Sequence, residues 1–187
     1  MDEVRELPFT VLFSKPRRNL DGGQSIIIKD ELTATNPILT LKTVRWDKDS
    51  NSVIFQTSVS DRHTFEAMDK LVMETAVEHQ IQWFGRTLPI QKIKSMFCTS
   101  LQPTGTLRVK ASSNVQAYDI LCQTTNPTSL EGRSVDVKLA VVGVYFKPGR
   151  FGVSYKVRQV KLLPTYGLLH YAFEDDSQDD FSDADSN

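Results

Sequence analysis

The 187-residue chain is predicted to be a mainly β protein, a barrel or sandwich with one amphipathic helix and an acidic C-terminal tail. Three observations carry this. Apolar and polar residues alternate through most of the chain, the period of half-buried strands. One stretch alone, residues 61–85, changes to a spacing of three and four. The last fourteen residues carry seven carboxylates and no Lys or Arg, so 22 basic residues face 16 acidic ones in residues 1–173, and the net charge of −1 conceals a body of +6 and a tail of −7. Strands, one helix and then more strands favour a closed or stacked sheet over an alternating β-α fold.

The elements follow in order. Phe9 to Phe13 reads as a strand, Lys15-Pro16-Arg17-Arg18 as a basic loop, and Ser25 to Lys29 as a second strand after Asp21-Gly22-Gly23. Leu39 to Trp46 and Ser52 to Val59 alternate on either side of a turn at Asp47 to Asn51, which predicts a β-hairpin. Phe65, Met68, Val72 and Ala76 then line one face of a helix whose other side carries Glu66, Asp69, Lys70, Glu74 and Glu78. Ser60 or Asp61 is the expected cap, Gly85 the exit, and the Trp83-Phe84 pair reads as core. Strands are expected at Ile90 to Cys98, Thr106 to Lys110 and Tyr118 to Gln123, then at Val135 to Phe146 and Gly152 to Leu163 around Lys147-Pro148-Gly149-Arg150.

Length and a hydrophobic content of 40% suit one domain, residues 1–173, with residues 174–187 as a tail too poor in apolar surface to order. Runs of 18 apolar residues are missing and the N-terminus is acidic, so the expectation is an intracellular protein of nucleus or cytoplasm that makes no use of a membrane. Cys98 and Cys122 are too far apart in sequence, with no nearby second ligand, to suggest zinc or a disulfide framework, and read as reduced, half-buried strand residues.

A basic body with an acidic tail points to a polyanion, and nucleic acid is the obvious one. Residues 138–164 contain Lys138, Lys147, Arg150, Lys156, Arg158 and Lys161 and no acid, interleaved with Tyr145, Phe146, Phe151 and Tyr155. Strict alternation puts Ser154, Lys156, Arg158 and Val160 on one face and Val153, Tyr155, Val157, Gln159 and Lys161 on the other. A single strand exposes phosphates and unstacked bases together, which Lys or Arg and flat rings would respectively receive. A second acid-free stretch, from His79 to Tyr118, holds Arg86, Lys92, Lys94, Arg108 and Lys110 with Trp83, Phe84 and Phe97, and could form the opposite wall of a groove. The expected contacts are therefore Lys147, Arg150, Lys156, Arg158, Lys92, Lys94, Arg108 and Lys110 for the backbone, and Tyr145, Phe151 and Tyr155 for the bases.

The glycine-containing run Val141-Val142-Gly143-Val144-Tyr145-Phe146, a short loop, and the Phe151-Gly152 pair opening Val153 to Val160 resemble the single-stranded-DNA-binding proteins of large double-stranded DNA viruses and some phages. That resemblance implies an oligonucleotide-binding (OB) Greek-key barrel, a role in DNA replication or recombination, and a viral protein working in a host cell. It extends more loosely through the acidic tail. Such proteins often end on an aromatic residue, whereas Phe181 is followed by six more.

In such a protein the tail would compete with DNA for the groove at an effective concentration on the order of millimolar, set by its tether. Asp179, Asp180, Phe181 and Asp183 would recruit replication proteins, and Ser177, Ser182 and Ser186 lie where an acid-directed kinase could act. His63, His79 and His170 show no ligand or catalytic spacing, and neither a phosphate loop nor a nucleophile elbow occurs, so a catalytic site, metal and cofactor are not expected. Two alternatives stay open: a β-sandwich capsid or scaffold protein with incidental nucleic-acid contact, and a single-stranded RNA binder, since stacking does not read the sugar. A homo-oligomer is compatible with each.

Overall fold

The structure, a computed structural model, describes residues 7–20, 22–49, 52–110 and 115–164. Asp179, Asp180, Phe181 and Asp183, and with them the tail, lie outside the described residues. In chain order the strands are β1 (Val11–Phe13), β2 (Arg17–Arg18), β3 (Gln24–Asp30), β4 (Ile38–Arg45), β5 (Asp47–Asp49), β6 (Ser52–Gln56), β7 (Phe97–Cys98), β8 (Thr106–Lys110), β9 (Gln116–Tyr118), β10 (Thr124–Thr125), β11 (Ser134–Lys147) and β12 (Arg150–Leu162). Helices α1 (Val59–Glu78), α2 (Gln80–Phe84) and α3 (Ile90–Met96) fall between β6 and β7. The chain is mainly β, as its periodicity predicts.

A long antiparallel ribbon of β11 and β12 organises the molecule, paired from Val135 and Leu162 to Lys147 and Arg150. Its turn is Pro148-Gly149, with Gly149 at φ 72°, the left-handed conformation that the third position of a type II turn requires. The early half of β11 pairs with β4 and its late half with β3, both antiparallel. On its other side β12 pairs parallel with β7 and with β9. Strands β5, β6 and β8 make a separate antiparallel sheet. One apolar cluster joins the two: Ile26, Val137, Leu139 and Val157 from the large sheet, Phe55 and Leu107 from the small one, and Phe65, Met68 and Val72 from α1, all at 6% exposure or less. Each such side chain contributes roughly 1.5–3 kcal/mol by leaving water.

Gly143 fixes how closely β3 approaches the ribbon. A Cβ there would lie 2.0 Å from the carbonyl oxygen of Ile26, so only glycine lets the two backbones meet.

Local structure departs from the sequence reading in four places. Ile90–Met96 is helical rather than extended: Ile90, Ile93 and Met96 recur every third residue, and Ile93 is the one driven into the core. Leu39 to Trp46 does not form a hairpin with the next strand. Thr43 takes a positive φ of 52°, and β4 pairs with β11 while the separate β5 turns back onto β6. Tyr118 to Gln123 is largely a turn, because the Asp119 carboxylate accepts from the amides of Leu121 and Gln123, and Cys122 is consequently exposed at φ 61°. Helix α1 is capped by Ser58, whose Oγ accepts from the Asp61 amide at 3.1 Å while the Asp61 carboxylate accepts from the Ser58 amide at 3.3 Å.

Candidate nucleic-acid interface

The two faces of the ribbon are assigned by burial. On β12, Val153 and Val157 point inward, Arg158 and Gln159 are both exposed, and Val160 is buried again. The cause is a register shift opposite Lys138 and Leu139, where Gln159 faces Lys138 and Val157 faces Leu139, leaving Arg158 as the extra residue. This bulge brings Lys161 onto the same outward face as Lys156, and Val160 into the core. Strict alternation had placed both on the opposite sides.

At the turn end of the ribbon, α2 and α3 pack over the sheet and leave a groove of about 430 Å³. Its floor and walls are Trp83, Phe84, Leu88, Met96 and Phe146, and its rim carries Arg86, Lys92, Lys147 and Arg150. None of these four cations is ion-paired among the described residues. The two acid-free stretches of the sequence thus meet here as opposite walls. Trp83 O accepts from the Gln24 side chain at 3.2 Å, which ties the end of β3 to α2 beside the groove.

Six rings support that floor. Phe13 packs on Trp83, Trp83 and Phe84 on Phe146, and Phe84, Phe97 and Phe146 on Phe151, with centroids 5.2–6.0 Å apart. Phe151 is the hub and is 0% exposed. It cannot receive a base, contrary to the expectation from its neighbours in sequence. Its inward position follows from its pairing with Phe146 across the ribbon, the two rings stacked 11° from parallel.

Tyr155 is also turned inward. Its hydroxyl lies 2.8 Å from Ser100 Oγ, and its ring meets Phe65 edge-on at 5.3 Å. Ser100 in turn donates from its amide and from its hydroxyl to the Asp69 carboxylate. Burial pushes Asp69 up from 3.8 to about 6, against the two Ser100 hydrogen bonds, and the charge of Glu66 adds to the rise. Burial likewise holds the Tyr155 phenol far above its ordinary range. Asp69, Ser100 and Tyr155 therefore tie α1 to β12 and contribute no stacking surface.

Tyr145 is the expected ring that stays partly open. It lies on the outward face across Gly152, with Lys147 Nζ 5.8 Å from its centroid. Burial, then a hydrogen bond to Cys98, pushes its phenol up to about 12, so it remains a neutral ring at physiological pH.

On the outward face, away from the tip, a second groove of about 730 Å³ is lined by Lys29, Asn36, Gln116, Lys138, Arg158 and Gln159 among others, with no acid in its lining among the described residues. Lys156 is half-buried on the outward face of β12, between Arg150 and Arg158 along the strand. The face ends at Asp136, where the Lys42 ammonium lies 2.8 Å away. Burial would raise that carboxyl, but Lys42, the Thr43 amide and Lys161 hold it below the usual range.

Three expected contacts lie elsewhere. Lys94 lines a cleft between α1 and α3 that also holds Glu74 and Glu78, a mixed-charge setting. Arg108 and Lys110 are exposed on β8 in the small sheet. Of the eleven residues expected, Lys92, Lys147 and Arg150 come together at the ribbon tip, while Lys156, Arg158 and Tyr145 share the outward face. Phe84, Arg86, Phe146, Lys29 and Lys138 are the additions. Phe84 and Arg86 sit in the second acid-free stretch, but only the packing of α2 over the ribbon reveals their partners.

The fold and these grooves define a mainly β protein with an aromatic-floored, cation-rimmed cleft at the tip of its central ribbon. The chain belongs to DUF5871, a family of unknown function, whose profile matches residues 42–175. No curated protein matches the sequence. Among solved structures it is similar to the single-stranded DNA-binding protein from bacteriophage Enc34, at a TM-score of 0.44 and 10% identity, covering 90% of this chain and 98% of that one. The same phage protein in complex with single-stranded DNA aligns at a TM-score of 0.39 and 10% identity, covering 79% and 93%.

Proposed function

We propose that this protein binds single-stranded DNA with little sequence preference, through the tip groove. The observation that carries the reading is the meeting of Arg86, Lys92, Lys147 and Arg150, without carboxylate partners among the described residues, around the partly open rings of Phe84 and Phe146. Phosphates would be held by the rim and an unstacked base by the floor, an arrangement indifferent to base identity because every base has a π face. A duplex keeps its bases stacked and offers this floor nothing.

The finer parts of the reading rest on the resemblance at the hairpin and on the composition of the tail. They are an OB-like barrel, a role in replication or recombination, and a tail of seven carboxylates that competes for the groove and recruits replication proteins through Asp179, Asp180, Phe181 and Asp183. The role is one of binding rather than catalysis, in an intracellular setting.

Fluorescence anisotropy tests this, with labelled oligo-dT, a matched RNA and a duplex of equal length, over a salt series. The single strand should bind tightest, and the full chain less tightly than one stopped after Phe173. Lys147→Gln with Arg150→Gln should lower the salt slope by ~1.4, since each neutralised phosphate contributes about 0.7 for single strands. Equal binding to duplex would favour a structural or assembly protein, and tighter binding to RNA a ribonucleic ligand.

A further inference from the structure

The larger groove on the outward face differs in chemistry from the tip groove. Lys29, Lys138 and Arg158 supply three cations with no ion-pair partner among the described residues, and the other polar lining is amide or hydroxyl. Aromatic rings are absent from its lining among the described residues. The polar groups are positioned in advance. Asn36 donates to the carbonyls of Ile28 and Val142 at 2.8 and 3.2 Å, which turns its oxygen toward Arg158 Nη2 at 3.5 Å. Lys138 Nζ donates to Thr40 Oγ1 at 2.8 Å, and the Gln159 amide donates to Gln116 Oε1 at 3.0 Å. The bulge at Arg158 is what exposes Arg158 and Gln159 side by side. Cations and amide donors without rings suit a chain of phosphates and offer no platform to a base.

Resting on the single-strand reading above, we infer that this groove is a phosphodiester track, separate from the tip groove, that holds the backbone of the same strand after its bases have left the aromatic floor. Arg158 lies eight positions beyond Arg150 on β12, roughly 26 Å at ~3.3 Å per residue. Lys156 lies between them on the outward face as a stepping charge. A short oligonucleotide therefore fills the tip alone, and a longer one engages both grooves.

The test uses the full chain and Lys138→Gln with Arg158→Gln, both exposed positions, with unchanged melting temperature as the check on folding. Anisotropy titrations compare oligo-dT of about 4 and about 16 nucleotides, the two ends of the site sizes known for single-strand-binding barrels. The variant should bind the long oligomer several-fold more weakly, with a salt slope lower by ~1.4, and bind the short one as the parent does. Unchanged binding of both lengths overturns the track. Equal weakening of both overturns its separateness, since the groove would then belong to the primary contact. Failure of the parent chain to prefer a single strand over duplex would instead count against the single-strand reading itself.

Discussion

Phe84 and Phe151 touch at 5.3 Å yet serve different ends. Phe84 is half-buried at the groove, whereas Phe151 has no exposed surface and three rings against it. Phe151→Ala should cost about 3–5 kcal/mol of stability, read by denaturant unfolding, with DNA affinity lost only as the fold is lost. The basic residues of residues 138–164 were legible from their lack of acidic neighbours, but the roles of their aromatic companions were not. A tyrosine or phenylalanine in a strand faces core or solvent by register, and the register turns on a bulge that no local residue announces. Asp69 carries a pH signature. Its native value of about 6 exceeds the unfolded value of ~3.9, so the native state holds the extra proton between the two. Its contribution is full at low pH and is lost as pH rises through about 6. The melting temperature of the parent minus that of Asp69→Asn should therefore fall from pH ~4 to ~7, and parallel curves would exclude this.

Element by element, α1 was legible because Phe65, Met68, Val72 and Ala76 keep a helical spacing over a long segment, and all four are buried. α3 was not. Its seven residues offer only Ile90, Ile93 and Met96 as a pattern, and β-branched residues in so short a run read equally as a strand. The β11–β12 ribbon was legible from alternation on both sides of Pro148-Gly149. The pairing of β3 and β4 with β11 was not, because partner choice in a sheet is a long-range matter. Gly143→Ala tests the close approach of β3. A methyl group forced against the Ile26 carbonyl should cost about 1–3 kcal/mol or more, seen as a lowered unfolding midpoint, whereas Gly149→Ala should strain only the turn.

At the scale of the whole molecule, charge asymmetry was the most direct signal in the sequence, since it needs no fold to be read. What it could not convey is that seven of the cations fall into two grooves of different chemistry, one with rings and one with amides. The ribbon also closes most of the pairing of the large sheet. β3 and β4 precede β11 by about a hundred residues, and β7 and β9 wait for β12. During synthesis the N-terminal strands therefore leave the ribosome well before the partners that cover them. Contacts so distant in sequence form slowly, and an emerging strand without its neighbour is open to the wrong one. Both cationic grooves are completed only when residues 134–162 arrive, so the surface that would hold a nucleic acid comes into being as the last act of folding.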